Sequence, residues 1–220
     1  MDLSLKEKFL IISIEPGKGK IMLMGNQLTY GIAGAILLEM KSKNIVNFAD
    51  NILFLNQYRP SVDRIINRAV EIIRKSKRKR RVNIWLMRFS WRGNSFVREI
   101  LRKLMSHNII RKERKRFLNI IPYNRYFFLQ KNVRNQTISS LKDALYTKSI
   151  TSQNEDLNLL GLIHACGLER IFTDDKNEKK ELARYLKEQI NTNDAFAEIK
   201  PLIKKIKTAI ATSRSSPVTV

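Results

Sequence analysis

Apolar side chains recur at helical spacing along most of the chain. The first such segment begins at Leu5, where Ser4 and Glu7 form the sequence pattern of a helix-initiating capping box. Residues 25–40 are apolar on nearly every side, which predicts a helix buried in the core. Further helices are predicted at residues 62–73, 82–89, 95–107, 133–147, 157–172 (with a break near Gly167), 178–189 and 195–211. Together these segments predict a mainly α fold.

Two further stretches favour strands. One or two short strands are predicted within residues 45–55. Apolar segments on both sides of a proline- and asparagine-containing turn at residues 122–125 predict a β-hairpin over residues 116–129. The sequence therefore predicts one compact multi-helix domain over residues 1–212 with a protruding β-hairpin, followed by a flexible C-terminal tail at residues 213–220.

The charge of the chain is strongly positive and clustered. The 220 residues include 42 Lys and Arg against 20 Asp and Glu, which gives a net charge of +22. Seventeen of the basic residues lie between Arg74 and Arg116, where the only acids are Glu99 and Glu113. Residues 74–81 are an almost unbroken basic run, which we expect to act as a flexible electrostatic tether. Such clustering predicts an anionic partner, and the candidates are nucleic acid, an anionic membrane and an acidic protein.

Few residues suggest catalysis or metal binding. The chain has one cysteine, Cys166, and two histidines, so the residue types predict neither a disulfide nor a cluster of metal ligands. His164 and Cys166 are two positions apart and would point about 200° apart on a helix, which excludes a nucleophile–base pair on one face. We therefore expect His164 in the core or at an interface and Cys166 as a small buried apolar residue, and we expect no enzymatic activity and no cofactor.

The sequence also lacks the patterns of secretory and membrane-spanning segments. The N-terminal residues do not combine a basic start with an apolar run, and no window reaches the roughly 18 uninterrupted apolar residues of a membrane span. We expect a cytoplasmic protein that meets a membrane only from one side.

Two kinds of anionic partner fit the clustered charge. A helix at residues 95–107 followed by a basic hairpin has the order of a winged-helix unit, in which the helix enters a DNA groove and the hairpin contacts phosphate. Apolar and aromatic residues between Arg116 and Arg125 instead favour a membrane surface, where Lys and Arg meet anionic headgroups and tyrosine suits the interface. Both readings remain open at this level.

The order of several motifs resembles the Golgi phosphoprotein 3 family, in particular its short prokaryotic members. The resemblance runs from about Leu3 to Thr212. It rests on the opening helix with its turn at residues 16–19 and on the segments 30–40 (YGIAGAILLEM), 117–126 (FLNIIPYNRY) and 159–168 (LLGLIHACGL). The resemblance implies a helical domain with a protruding hairpin that dips into the membrane. It also implies a peripheral membrane protein, which in eukaryotic members binds phosphatidylinositol 4-phosphate and acts as an adaptor for protein cargo.

The resemblance also implies where lipid would bind. Two positions depart from the eukaryotic headgroup pocket, because Met24 stands in place of an aromatic residue and Ala33 in place of an arginine. A general surface for anionic lipid fits the remaining residues. The lipid-binding side chains it would use are Arg92, Arg98, Arg102, Arg111, Lys112, Arg114, Arg116 and Arg125. The side chains expected to insert into the membrane are Ile121, Tyr123 and Tyr126.

Overall fold

Nine α-helices and two antiparallel strand pairs make up the part of the chain that the computed structural model describes, which is residues 2–118, 120–146 and 155–215. The helices are α1 (Leu5–Ile12), α2 (Asn26–Ser42), α3 (Arg64–Arg74), α4 (Val82–Ser90), α5 (Gly93–Ser106), α6 (Lys131–Tyr146), α7 (Glu155–Cys166), α8 (Lys176–Thr192) and α9 (Lys200–Ser215). The strands are β1 (Val46–Ala49), β2 (Ile52–Leu55), β3 (Ile110–Phe117) and β4 (Ile121–Phe128). The predicted mainly α fold with a hairpin is confirmed.

The predicted central helix is α2. It packs against α1, α4, α5, α7 and α9, and its apolar side chains are almost completely buried. Glycines bring the neighbouring helices close: a methyl group built on Gly34 would lie 2.4 Å from the Ile206 side chain of α9. On α7, a methyl group built on Gly161 would lie 2.2 Å from Ile203. Larger side chains at these two glycines would therefore overpack the core.

Local hydrogen bonds and backbone conformation determine where the predicted helices begin and end. Asp63 caps α3, since its Oδ1 accepts hydrogen bonds from the backbone N–H groups of Ile65 and Ile66 at 3.0 and 3.1 Å. The break predicted near Gly167 is confirmed, because α7 ends at Cys166 and Gly167 has a φ of 67°. Helix α9 continues to Ser215, while residues 216–220 lie outside the described residues, so the boundary at residue 212 stays a prediction.

The basic run at residues 74–81 is fixed at its C-terminal end, which differs from the predicted flexible tether. The backbone N–H of Leu53 donates to the carbonyl of Arg80 at 3.1 Å, and Arg81 forms a β-bridge with Ile52. The strands β1 and β2 were predicted, and they pair with each other through a two-residue turn. The C-terminal end of the basic run pairs with β2 on the side away from β1. Charge composition does not reveal such main-chain pairing, because any residue except proline can supply it.

The hairpin turn lies elsewhere than predicted. Residues 122–125 belong to β4 and pair with residues 113–116 of β3, so that Pro122 faces Arg116 and Arg125 faces Glu113. The chain reverses between Phe117 and Ile121. Proline is tolerated near the start of an edge strand, where its missing N–H group is not needed for pairing. Pro122 is the second residue of β4 and therefore marks the start of this strand and not the turn.

A cluster of charged side chains is buried where α1, α2 and the α3 cap meet. Lys6 and Glu39 are each only 1% exposed, and the Lys6 ammonium lies 3.0 Å from Glu39 Oε1 and 2.5 Å from Asp63 Oδ2. Lys43 adds a contact of 2.6 Å to the same Glu39 oxygen. Burial disfavours the charged carboxylate of Asp63, but the attraction and hydrogen bond of Lys6 outweigh it, and the pKa of Asp63 is lowered.

This carboxylate should make the stability of the fold depend on pH. Because the pKa of Asp63 is lower in the folded chain than its ordinary value of 3.8, its contribution is complete above that value and is lost as the pH falls through the folded pKa. We expect the difference in free energy of unfolding between the wild type and Asp63→Asn to shrink below about pH 4. Urea unfolding between about pH 7 and pH 2.5 measures it, and a difference that stays constant would contradict the role of Asp63.

The predicted core positions of His164 and Cys166 are confirmed. His164 is buried beside Glu169 and Lys207: its Nδ1 lies 3.4 Å from Glu169 Oε1, and its Nε2 lies 2.8 Å from Lys207 Nζ. Burial raises the pKa of the Cys166 thiol well above its ordinary range, so the thiol stays protonated and packs as a small apolar group.

Candidate functional site

The β3–β4 hairpin carries most of the predicted site residues and divides them between its two faces. Successive side chains of a strand point to opposite faces, and the register pairs Arg111 with Phe127, Lys112 with Tyr126 and Lys115 with Tyr123. One face therefore carries the odd-numbered positions and the other carries the even-numbered positions.

The first face, which we name the aromatic face, interleaves cations with rings. It contains Arg111, Glu113, Lys115, Tyr123, Arg125 and Phe127. The Arg111 guanidinium and the Lys115 ammonium lie 5.6 and 5.5 Å from the centre of the Phe127 ring. Arg125 lies 4.7 Å from the centre of the Tyr123 ring. Cation–π contacts of this kind hold the side chains in place, and Arg111 also pairs with Glu113 at 2.7 Å.

The second face, which we name the basic face, carries Lys112, Arg114 and Arg116. All three side chains are exposed, and within the described parts of the chain no ion pair joins them to an acid. Their strand partners are Tyr126, Asn124 and Pro122, which are uncharged. The basic face thus holds three like charges on alternate positions of one strand, at about 7 Å spacing, without local neutralisation. Such an array suits an extended anionic surface.

The tip of the hairpin is apolar and exposed. We name Leu118, Ile120 and Ile121 the apolar tip; their side chains are 75%, 79% and 60% exposed. Leu118 has a φ of 47°, a conformation that costs a leucine about 1–2 kcal/mol relative to the usual regions. A polar residue or glycine would fit this turn better and would not expose apolar surface to water. An exposed apolar cluster of this kind is typical of a surface that becomes buried against a membrane or another protein.

Of the three residues of the apolar tip, the sequence analysis named only Ile121 as membrane-inserting, and this role stays a prediction. Ile121 was predicted to insert, whereas Leu118 and Ile120 were not, because the turn was placed at residues 122–125. The signal that could have located the turn is the asparagine at position 119, since asparagine is common in turns and strand formers flank it on both sides.

The two predicted tyrosines lie away from the apolar tip. Tyr123 is half-buried against Arg125 on the aromatic face. Tyr126 lies near the base, where its backbone N–H donates to the Gly19 carbonyl at 2.8 Å and its side chain packs against the core. Burial raises the pKa of Tyr126. Insertion of Tyr126 stays a prediction, and it would require the hairpin to enter the membrane far beyond its tip.

The predicted arginines of α5 form a separate group. Arg98 and Arg102 are exposed and one turn apart on α5, whose last residue is four positions before β3. Arg92 precedes the helix and donates to the Arg88 carbonyl at 3.2 Å, about 15 Å along the axis from Arg102. Arg102 lines a cavity of about 410 Å³ that also contains Lys6 and Asp63. Arg98 and Arg102 thus lie on the helix that leads to the hairpin, whereas Arg92 lies at the end of α5 that is away from β3 in the chain.

The two departures from the eukaryotic headgroup pocket differ in exposure. Met24 is 65% exposed in the loop before α2, whereas Ala33 is fully buried within α2. Neither side chain can donate a hydrogen bond or carry a charge to a phosphate group. Met24 can therefore offer only apolar contact, and the buried Ala33 offers no contact to a ligand at the surface.

Comparison with known proteins matches the chain to one family. A family model described as Golgi phosphoprotein 3 (GPP34) matches residues 5–206. No curated protein matches the chain. None of the helices in the described residues is long and apolar enough to cross a membrane.

Proposed function

Because this chain belongs to the Golgi phosphoprotein 3 family, we propose that it is a peripheral membrane protein whose β3–β4 hairpin binds anionic phospholipid. The observation that carries the proposal is the combination, on one hairpin, of an exposed apolar tip with three exposed cations on the basic face that form no ion pair with any of the described residues. The tip would enter the acyl boundary while Lys112, Arg114 and Arg116 remain at the level of the headgroups.

The proposed ligand is a general anionic lipid surface, with phosphatidylinositol 4-phosphate as one member of that class. Three cations spaced along a strand can contact several headgroups at once, whereas Met24 and Ala33 supply no group that selects a single phosphate. Binding would therefore follow surface charge density more than headgroup identity.

The proposal further includes a non-enzymatic role on the cytoplasmic side of a membrane, where anionic lipids concentrate. In this role the protein would act as an adaptor, holding a protein partner at the membrane surface. The basic composition, without an assembled set of catalytic side chains around His164 or Cys166, supports binding over catalysis.

Vesicle binding tests this function. We expect the protein to co-float with phosphatidylcholine vesicles that contain about 20% phosphatidylserine, to ignore neutral vesicles, and to be released as the salt rises from about 0.1 to 0.5 M. A further set with about 5% phosphatidylinositol 4-phosphate at matched total charge measures headgroup preference. Binding that ignores lipid charge and salt would overturn the proposal.

Neutralising the basic face should weaken this binding. Replacing Lys112, Arg114 and Arg116 with glutamine is expected to lower vesicle affinity about 10- to 100-fold, because each cation near an anionic leaflet contributes about 1 kcal/mol or somewhat less. The matched control replaces Lys179, Lys180 and Lys187 of α8, which changes the net charge equally. Equal loss in both variants would show that only net charge matters and would contradict a role of the hairpin.

A comparison of DNA binding with vesicle binding tests the alternative that the protein binds nucleic acid. A protein of this charge will bind any polyanion weakly, with steep salt dependence. Tight and sequence-selective binding to duplex DNA in a gel-shift assay, exceeding the affinity for anionic vesicles at the same salt, would favour a winged-helix function.

A further inference from the structure

Arg134, the fourth residue of α6, is a buried cation. It is only 8% exposed, and its Nε is shielded from water without a hydrogen-bond partner. Within residues 2–118, 120–146 and 155–215, no ion pair, hydrogen bond or cation–π contact reaches its guanidinium. Burial lowers the pKa of Arg134, because the charged form loses hydration. An unpaired buried charge costs stability, so an anion bound beside this guanidinium would stabilise the fold.

Arg134 occupies the first position of an otherwise apolar stripe. Ile138, Leu141 and Leu145 follow it at positions i+4, i+7 and i+11 of α6, and all four residues are buried. Helix α6 packs mainly against α1 and α7. The guanidinium therefore belongs to the end of this helix interface that lies nearest the start of α6.

The carboxylates of the two neighbouring helices are already engaged. Helices α1 and α7, each described throughout, contain three acids between them. Their partners are Lys103 for Glu7, Lys8 for Glu155 and Ser140 for Asp156. Ser140 follows Arg134 by six positions, about 9 Å farther along α6. Neither helix therefore supplies a carboxylate to Arg134.

The first turn of α6 adds further donors. Lys131 and Asn132 are the first two residues of the helix, and their backbone N–H groups donate to no described residue. The first turn contains no acidic side chain. Side chains of a helix lean toward its N-terminus, which brings the guanidinium of Arg134 level with this turn. The guanidinium and the positive end of the helix dipole therefore attract an anion to the same place.

The start of α6 is held in place by hydrogen bonds to the end of α5 and the start of β3. The Gln130 side-chain amide donates to the carbonyls of His107 and Asn108 at 3.3 and 3.2 Å. The backbone N–H groups of Leu129 and Gln130 donate to the Ile109 carbonyl at 2.9 and 3.3 Å. An anion would therefore meet donors whose backbone is already ordered, which lowers the entropic cost of binding.

We propose that Arg134 and the first turn of α6 bind a small soluble oxyanion, such as a phosphate or a carboxylate. The guanidinium would donate two parallel hydrogen bonds to two oxygens of the anion. The N–H groups of Lys131 and Asn132 would donate to its other oxygens. The side chain of Lys131 is exposed, so a ligand can enter from that side. This site goes beyond the proposed lipid-binding function and uses none of its residues.

Titration of the wild-type protein with sodium phosphate, and separately with sodium acetate, tests the site by NMR. We expect the Arg134 Nε–H signal, identified by its absence in Arg134→Lys, to shift together with the N–H signals of Lys131 and Asn132. The shifts should saturate at constant ionic strength, with a dissociation constant for phosphate at or below about 1 mM. If neither anion shifts these signals, or if the shifts grow without saturation, the proposal is overturned.

Thermal unfolding compares variants. At about 10 mM phosphate, with the ionic strength fixed by sodium chloride, the Tm of the wild type should rise by about 3–6 °C. The rise in Arg134→Met should stay below about 1 °C, because methionine has neither a charge nor an N–H donor. The matched control is Lys142→Met, which removes one charge from an exposed position of α6 and should respond like the wild type. An equal rise in all three proteins would show only screening of the net charge and would overturn the site.

Vesicle flotation distinguishes a soluble ligand from a lipid headgroup. Arg134→Met should bind anionic vesicles within about two-fold of the wild type, because the proposed lipid-binding residues are unchanged. A loss of about ten-fold or more, without any response to soluble phosphate or acetate, would assign Arg134 to a headgroup and overturn the proposal. If the wild type shows saturable phosphate shifts but ignores anionic vesicles, the site is supported and the proposed function alone fails.

Discussion

Replacing Leu118, Ile120 and Ile121 with serine is expected to lower the affinity for anionic vesicles about 1000-fold. Full burial of one Leu or Ile side chain contributes about 1.5–3 kcal/mol, so half-burial of three contributes about 4 kcal/mol. Serine keeps the net charge at +22, so the loss would report insertion and not electrostatics. Flotation and tryptophan-quenching titrations measure the affinity.

Folding should be unaffected by this triple replacement. The three side chains are exposed and lie outside the core, and a serine at position 118 loses no packing contact there. A matched control is Val62→Ser, which removes a fully exposed apolar side chain from the loop just before α3, outside the hairpin. Unchanged vesicle affinity in the triple variant, or an equal loss in Val62→Ser, would remove the apolar tip from the binding surface.

Replacing Lys6 with methionine is expected to destabilise the fold by about 3–5 kcal/mol, because it leaves the buried Glu39 carboxylate without its main partner. The change keeps a side chain of similar length, so lost packing contributes little. Chemical unfolding followed by circular dichroism measures the change in free energy.

Two comparison variants separate this effect from a general loss of charge. Lys8→Met removes the next lysine of α1, whose ion pair with Glu155 is partly exposed, and should cost less than about 1 kcal/mol. Adding Glu39→Gln to Lys6→Met should recover part of the lost stability, since no buried charge then remains on Glu39. Equal destabilisation by Lys6→Met and Lys8→Met would contradict the importance of burial.

The helices could be predicted because their apolar positions repeat at one period and their ends carry local signals. The break after Cys166 is an example, where Gly167 adopts the left-handed conformation that ends α7. The buried cluster of Lys6, Glu39 and Asp63 could not be predicted, since its members lie up to 57 positions apart and each alone resembles a surface charge. The packing of both α1 and the start of α3 against α2 brings them together.

The sequence predicts which types of residue gather in the candidate site, but it does not predict how they are arranged on the hairpin. The sequence grouped basic and aromatic residues that the structure places on one hairpin. The register, however, separates Arg111 and Arg125 from Lys112, Arg114 and Arg116, and it gives the first pair aromatic and acidic neighbours. The strands of the hairpin do not alternate regularly between apolar and polar residues, so the pattern did not reveal their register, and the asparagine at position 119 was the local signal left to locate the turn.

The charges of β3 have a consequence for solubility. A two-stranded hairpin has two edges with unpaired main-chain groups that can recruit strands from other molecules. Gly19 covers the β4 edge at Tyr126, and Pro122 removes one donor from that strand. The repeated cations along β3 keep copies apart by repulsion, and a membrane that neutralises them would remove this protection. Crowding on an anionic bilayer should therefore favour strand pairing between neighbouring hairpins, so that the proposed lipid-binding element would also become a site of two-dimensional clustering.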